Sequence, residues 1–192
     1  MKILIAVPTF DGRIEPETYQ SIWDMDKLGH EARFQYVIGY DCAKARNDIC
    51  RMAKSFDYVL MVDSDIILPT NTLKCMLEEP VDIITGLYPH KNGVDEAEIF
   101  KNGTNDFVHR FRYDELEEGR IHVKGCGGGC LLINTKILDK LKFPWFKFVV
   151  YENGTELSED LYFCCQVNDA GMKIYADTRI YCGHICKEYR FG

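Results

Sequence analysis

The sequence predicts an α/β fold: a Rossmann-like, open, mostly parallel sheet flanked by helices, with a small antiparallel β element in the second half. Three observations carry this. Short apolar runs such as "KILIAVP", "YVLMVD" and "VDIITGLY" alternate with segments of helical period, the pattern that builds βαβ units. From about Lys91 the character changes, and "DFVHRFRYDELEEGRIHVKG" alternates apolar and polar residues around an acidic, glycine-ended turn, as antiparallel strands do. The 192 residues are 46% apolar, enough for one domain with a substantial core.

Each element has its own reason. "KILIAVP" reads as a buried first strand ending at Pro8. A helix follows from Pro16 to about Leu28, with proline in its first turn and Gly29 just past its end, the usual asymmetry of helix punctuation. "FQYVIGY" is a second strand, "AKARNDICRMAKSF" a second helix and "YVLMVD" a third strand. "TNTLKCMLEE" begins with cap-type residues and makes a short helix; "VDIITGLY" is a fourth strand. In the second half the alternating stretch is a β-hairpin or bent edge. "GGGCLLINTKILDKL" is glycine loop, strand and helix, and "KFVVYENGTE" is a strand and turn. "SEDLYFCCQVNDAG" is a helix closed by Gly171, and "KIYADTRIYCGHI" supplies one or two last strands. No repeat or linker interrupts the order, so residues 1–192 are expected to form a single domain.

Charge and cysteine usage narrow the function. Acidic residues outnumber basic ones by 30 to 23, the net charge is -7, and no Lys/Arg block exceeds a dipeptide, which argues against nucleic acid as a partner. The opening "MKILIAVPTF" is too short for a signal sequence or a transmembrane segment, so a cytoplasmic location is expected. Nine cysteines are scattered along the chain, several on helix faces; reduced thiols fit better than a disulfide framework.

The informative anomaly is a pair of aspartates, Asp63 and Asp65, at the end of the apolar run "YVLMVDSDIILP". On an extended strand they point the same way with α-carbons ~7 Å apart. Ligands of open parallel sheets bind beyond the carboxyl ends of the strands. Two ionised carboxylates sharing a cleft repel each other unless a divalent cation or a hydrogen-bonded sugar intervenes, and oxygen ligands suit Mg²⁺ or Mn²⁺. The plainer alternative is that both aspartates merely cap a turn before "LPTN".

Five motifs in order, "VPTF", "ARND" before "YVLMVDSDI", "GGGCLLIN", "SEDLYFCCQVNDAG" and "YCGHI", give the chain a resemblance to nucleotide-sugar glycosyltransferases of the GT-A fold. The likeness is greatest to small family-2-like and mannan-polymerase-like members. The resemblance implies a D-x-D motif with Asp63 on the nucleoside and Asp65 on the metal, with Asp63 close to the same ion. It implies His184 completing a Mn²⁺ or Mg²⁺ site. Gly127, Gly128 and Gly129 would let the backbone approach the donor sugar, and Asp160, with Glu159 beside it, would be the catalytic base of an inverting enzyme. Residues 1–90 would then be the nucleotide-binding half and 91–192 the half for donor sugar and acceptor. The partners implied are a nucleoside diphosphate sugar and a glycan, lipid or protein acceptor.

Each residue also has a bland reading. Glu159 and Asp160 follow Ser158, a good N-cap, and complement the helix dipole there; the same position would make Asp160 a reliably ionised but weak base. Arg46 and Asn47 can recognise a diphosphate and a base or sugar edge, or simply face solvent. Pro8 and Thr9 end the first strand where a nucleobase would lie. His184 can be an ordinary part-buried histidine. "CGGGC" and "CGHIC" around His184 offer a competing zinc site, at C-x3-C spacing instead of the usual C-x2-C. Two other function classes stay open. A nucleotidyltransferase would need a glycine- and basic-rich loop after the first strand, where "VPTFDGRIEP" has one glycine and one arginine. A non-catalytic sugar-nucleotide or glycan-binding module would bind without turnover.

Overall fold

The computed structural model describes residues 1–90, 95–101 and 109–185. In the first half β1 (Lys2–Thr9), α1 (Pro16–Asp24), β2 (Glu31–Ile38), α2 (Cys42–Ala53) and β3 (Tyr58–Val62) alternate strand with helix. They are followed by β4 (Ile66–Ile67), α3 (Thr72–Leu77) and β5 (Ile83–Leu87). The second half contributes β6 (Glu96–Phe100), β7 (Arg110–Arg112), β8 (Arg120–Val123), β9 (Gly125–Cys126) and β10 (Cys130–Asn134). It ends with β11 (Val149–Val150), β12 (Glu156–Leu157), α4 (Glu159–Asp169), β13 (Ile174–Tyr181) and β14 (Gly183–His184).

Seven strands form the central sheet in the order β2-β1-β3-β10-β5-β13-β8. β1 is parallel to β2 and β3, and β13 is parallel to β5; β10 and β8 run against their neighbours. The sheet is therefore mostly parallel, as the strand–helix alternation predicts. The small antiparallel element is the separate β7-β6-β9 sheet. Side chains alternate across each strand, so one run feeds two cores: Leu4, Ala6, Val59 and Met61 enter one cluster, and Ile3, Ile5, Leu60 and Val62 the other. Each buried Val, Leu, Ile or Met among these contributes roughly 1.5–3 kcal/mol. This two-sided burial explains why the runs are apolar throughout.

Some local expectations are corrected. α1 stops at Asp24, not Leu28, because the Lys27 ammonium turns back onto the carbonyls of Ile22 (2.5 Å) and Trp23 (2.6 Å) and closes the last turn. The segment after β10 is a 3-10 turn over Thr135–Asp139, with no α-helix. No hairpin joins the two alternating strands: β7 pairs with β6, whereas β8 leaves to pair with β13. The bent-edge reading is the nearer one, and residues 106–108 of that stretch lie outside the described residues. Among the described residues, no helix is long and apolar enough to cross a membrane.

Candidate active site

β3 ends at Val62, its last rung being with Cys130, and the chain turns at once. The Asp63 N–H donates to the Gly129 carbonyl (3.0 Å), the Ile66 N–H to the Asp63 carbonyl (3.1 Å), and the Glu15 N–H to the Ser64 carbonyl (2.9 Å). The strand thus does not stay extended through the aspartates, contrary to the alternation argument. The turn sends the two carboxylates to different partners. Asp63 Oδ1 accepts from Arg46 Nη2 at 2.7 Å, whereas Asp65 Oδ1 lies 3.7 Å from His184 Nε2.

Arg46 organises the acids. It is only 2% exposed and spans three chain segments: Nη2 reaches Asp63, Nε reaches Glu159 Oε1 (3.1 Å), and Nη1 donates to the Gly128 carbonyl (2.9 Å). Burial disfavours its charge, but Asp63 and Glu159 more than offset this and push the pKa further up. Glu159, 6% exposed, is held above the usual carboxylate range. Burial is the main cause, Arg46 pulls it back only in part, and the neighbouring Asp160 adds repulsion. One guanidinium serving several carboxylates cannot neutralise them all. The surface-facing reading of Arg46 is overturned. Its three bonds also commit the fork to protein groups, so the geometry gives it a positioning role.

The glycines make that packing possible. A Cβ on Gly128 would lie 2.2 Å from Arg46 Nη1 and 2.4 Å from its Cζ; on Gly127 it would lie 2.1 Å from the Tyr88 hydroxyl, and on Gly129 2.8 Å from Tyr88 Cζ. Gly128→Ala is therefore expected to destabilise the protein by about 1–3 kcal/mol through overpacking, because the guanidinium is pinned by three acceptors and cannot swing aside. Chemical denaturation measures this, and an unchanged midpoint would show that the loop yields freely.

Asp160 stands at the start of α4 facing this loop. Its Oδ2 accepts from the Gly128 N–H (3.2 Å), and its Oδ1 accepts from the Leu161 N–H (2.8 Å) and from the Ser158 hydroxyl. Ser158 thus bonds to Asp160 instead of capping the helix directly. Glu159 turns inward to Arg46 while Asp160 remains partly accessible. Sequence reasoning did not single out Tyr88. Its hydroxyl accepts from the Gly129 N–H (2.9 Å), and its ring meets the His184 ring edge-on at 5.6 Å. Burial, then the charges of Asp63 and Asp160, hold its phenol well above the ordinary value. The signal was a tyrosine closing the buried run "VDIITGLY" at the same sheet edge as the aspartates.

His184 is fixed from behind: its Nδ1 lies 2.7 Å from the Pro89 carbonyl. A carbonyl only accepts, so Nδ1 carries the proton. Nε2, on the Asp65 side, is then either a lone pair suited to a cation or the second N–H of an imidazolium. A ring nitrogen bonded to a backbone carbonyl is the usual support of a metal-binding histidine. Among the described residues, no three His, Cys, Asp or Glu side chains gather as a complete ligand cluster. Within the described residues the pair brought together here is Asp65 with His184, Oδ1 to Nε2.

Other candidates have different surroundings. Asn47 is fully used: Nδ2 donates to the Ala43 and Phe146 carbonyls (both 2.7 Å), and Oδ1 accepts from the N–H groups of Trp145 (3.0 Å) and Phe146 (3.2 Å). It latches the 145–146 backbone onto α2 and keeps no group for a nucleotide. Pro8 pairs with Val37 inside the sheet, and the Thr9 hydroxyl closes the following loop by accepting from the Gly12 N–H and donating to the Arg13 carbonyl (both 3.1 Å). The zinc reading is contradicted. Cys126 packs with Cys164 in one core cluster, and Cys130 with Cys182 in the other, across the sheet. Cys186 lies outside the described residues.

The sequence matches no protein-family model, and no curated protein matches it. Solved structures do resemble it. A197 from STIV superposes with a TM-score of 0.65 at 21% identity, over 97% of this chain and 87% of the other. GalNAc-T7, solved with UDP, GalNAc and Mn²⁺, superposes with a TM-score of 0.67 at 11% identity, over 98% of this chain but 44% of that one. The inositol-1-phosphate CTP transferase from T. maritima gives 0.50 at 11% identity, over 100% of this chain and 91% of that one. GalNAc-T7 is a glycosyltransferase and the last a nucleotidyltransferase. At these identities the likeness shows the fold alone, and the fold that it shows is GT-A-like.

Proposed function

We propose that the protein is a metal-dependent glycosyltransferase of hexosyltransferase type, moving a sugar from a nucleoside diphosphate sugar to an acceptor hydroxyl. The observation that carries this is the meeting at one sheet edge of the Asp63–Asp65 turn, the Gly127–Gly129 loop and Asp160, all tied through Arg46 or Gly128. In this reading Asp65 and His184 hold Mn²⁺ or Mg²⁺, and Asp63, oriented by Arg46, contacts the nucleoside. Residues 1–90 serve the nucleotide and 91–192 the donor sugar and acceptor. Asp160 takes the proton of the attacking hydroxyl in an inverting reaction. When bound, the cation neutralises charge developing on the leaving diphosphate. GalNAc-T7, with its UDP and Mn²⁺, supports the donor class.

The nucleotidyltransferase alternative has a structural neighbour but meets a poor triphosphate grip here. In the loop after β1, the one arginine, Arg13, is highly exposed and paired with Asp11 (3.3 Å). A thermal-shift screen of UDP-, GDP-, CMP- and dTDP-sugars and of the nucleoside triphosphates, with and without Mn²⁺, separates these readings, since a ligand specific for the folded state raises the melting temperature and a preference for a triphosphate marks the nucleotidyltransferase. The bound donor is then titrated calorimetrically against Asp65→Asn. Loss of the Mn²⁺-dependent part of donor affinity is expected, because a diphosphate beside ionised carboxylates is otherwise repelled. Donor binding in Asp65→Asn that keeps its full Mn²⁺ dependence would sink the metal assignment.

A further inference from the structure

Between α2 and residues 143–148 lies a cavity of about 380 Å³, within the size range of small-molecule sites. Three large rings surround it and stay open to solvent: Tyr40 (75% exposed), Phe143 (57%) and Phe148 (50%). Its other wall is polar, formed by Asp41, Lys44, Arg51 and Lys147, with Lys44 and Arg51 both paired to Asp48. One of the rings is held in place. Phe143 meets Trp145 edge-on at 5.4 Å and has the Arg51 guanidinium 4.7 Å above its face. The floor is fixed by Asn47 and its four bonds to residues 43 and 145–146. All three rings keep half or more of their surface in solvent, forgoing burial that the core gives other aromatics.

The cavity adjoins the acids. Phe146 beneath it stacks on Phe163 of α4 (4.7 Å) and lies 6.0 Å from the Arg46 guanidinium carbon. Cys42, at the start of α2 beside Tyr40 and Asp41, is near enough to Arg46, Glu159, Asp63 and Asp160 to feel all four charges. β11 and β12 pair Val149 with Leu157 and Val150 with Glu156; continued by one step, that register sets Phe148 opposite Ser158, two residues before Asp160.

We propose that this cavity is the acceptor subsite and that the acceptor is a short saccharide. A sugar ring has C–H faces that stack on aromatic rings and a hydroxyl edge that bonds to charged groups, which matches rings alternating with Lys44, Arg51 and Lys147. A lipid chain needs a continuous apolar groove, and here charged side chains interrupt the rings. The assignment rests on the glycosyltransferase reading for the word acceptor, but saccharide binding itself does not.

The test is saturation-transfer NMR on the full chain without donor, using maltotriose, chitobiose and mannobiose as probes and a dodecyl maltoside control. At least one saccharide is expected to receive saturation on its ring C–H protons, and Phe148→Ala and Phe143→Ala should each weaken it about tenfold, the scale of a lost aromatic contact. Lys147→Glu, at an exposed position, supplies a second variant should either phenylalanine change disturb folding. None of the three should alter the thermal shift caused by donor and Mn²⁺. Absence of saccharide binding, binding indifferent to all three changes, displacement by UDP alone, or binding only through the dodecyl chain overturns the proposal. Saccharide binding in a protein that binds no donor sinks the glycosyltransferase reading and leaves a saccharide site.

Discussion

Asp160→Asn is expected to keep donor and metal binding near the wild-type level while turnover falls roughly 10²- to 10⁴-fold, the usual worth of a positioned general base. The two outcomes separate because Asp160 is tied to the glycine loop and to α4, whereas Asp63 and Asp65 hang from the turn after β3. Asparagine keeps the shape and one acceptor oxygen, so only one of the carboxylate's protein contacts needs to rearrange, at about 1 kcal/mol. If Asp160 serves only the helix dipole, the loss is about 0.3–1 kcal/mol of stability and turnover is nearly intact. The measurement is sugar transfer, or slow donor hydrolysis, at saturating donor and metal. Wild-type turnover in a folded variant refutes the base assignment. Suspicion then passes to Glu159, which would first have to leave Arg46.

What could be read from the sequence follows from the range of each interaction. β1, β3 and β5 were legible because an apolar run of strand length leaves few alternatives, and α2 because its period is long. The direction of β10 was not, since "CLLIN" is equally apolar whether it runs with or against β3 and β5. The Asp63–Asp65 geometry follows the turn reading, which Ser64 between two aspartates signals, and not the extended strand. The end of α1 depended on a lysine reaching back across five residues. Partners of the buried charge were out of reach altogether: Arg46 meets Asp63 17 residues away and Glu159 113 residues away. Nothing local marks an arginine on a helix as the hub of a site. The candidate residues were found through their order along the chain, while Arg46 as organiser, Tyr88 and the cavity beside α2 emerged only from the three-dimensional contacts.

The second large effect is expected at that hub. Arg46→Met keeps apolar bulk but leaves Glu159 buried and unpaired and releases Asp63, so the protein should lose roughly 3–5 kcal/mol. For a chain of this size that lowers Tm by roughly 6–20 °C. The deficit should depend on pH with a definite sign. Burial already raises Glu159, and without the guanidinium it rises further, so the folded variant binds more protons than the unfolded chain between the two pKa values. Stability relative to wild type then falls as pH rises through the folded-state pKa, and recovers as pH drops toward the unfolded carboxylate value of about 4.3. Arg46→Met combined with Glu159→Gln should regain part of the loss, a coupling that a double-mutant cycle reads directly. Arg46→Lys should rescue incompletely, because a single ammonium cannot reproduce the planar fork that reaches two carboxylates and the Gly128 carbonyl. Thermal melts of wild type, Arg46→Met, Glu159→Gln, the double variant and Arg46→Lys across pH 5 to 8 decide the matter. A Tm unchanged by Arg46→Met, or a deficit that is flat with pH and indifferent to Glu159→Gln, would show that the acids do not depend on this arginine. Donor affinity measured in the same variants then tests function: release of Asp63 should weaken binding in Arg46→Met, and restoring stability through Glu159→Gln should not restore it.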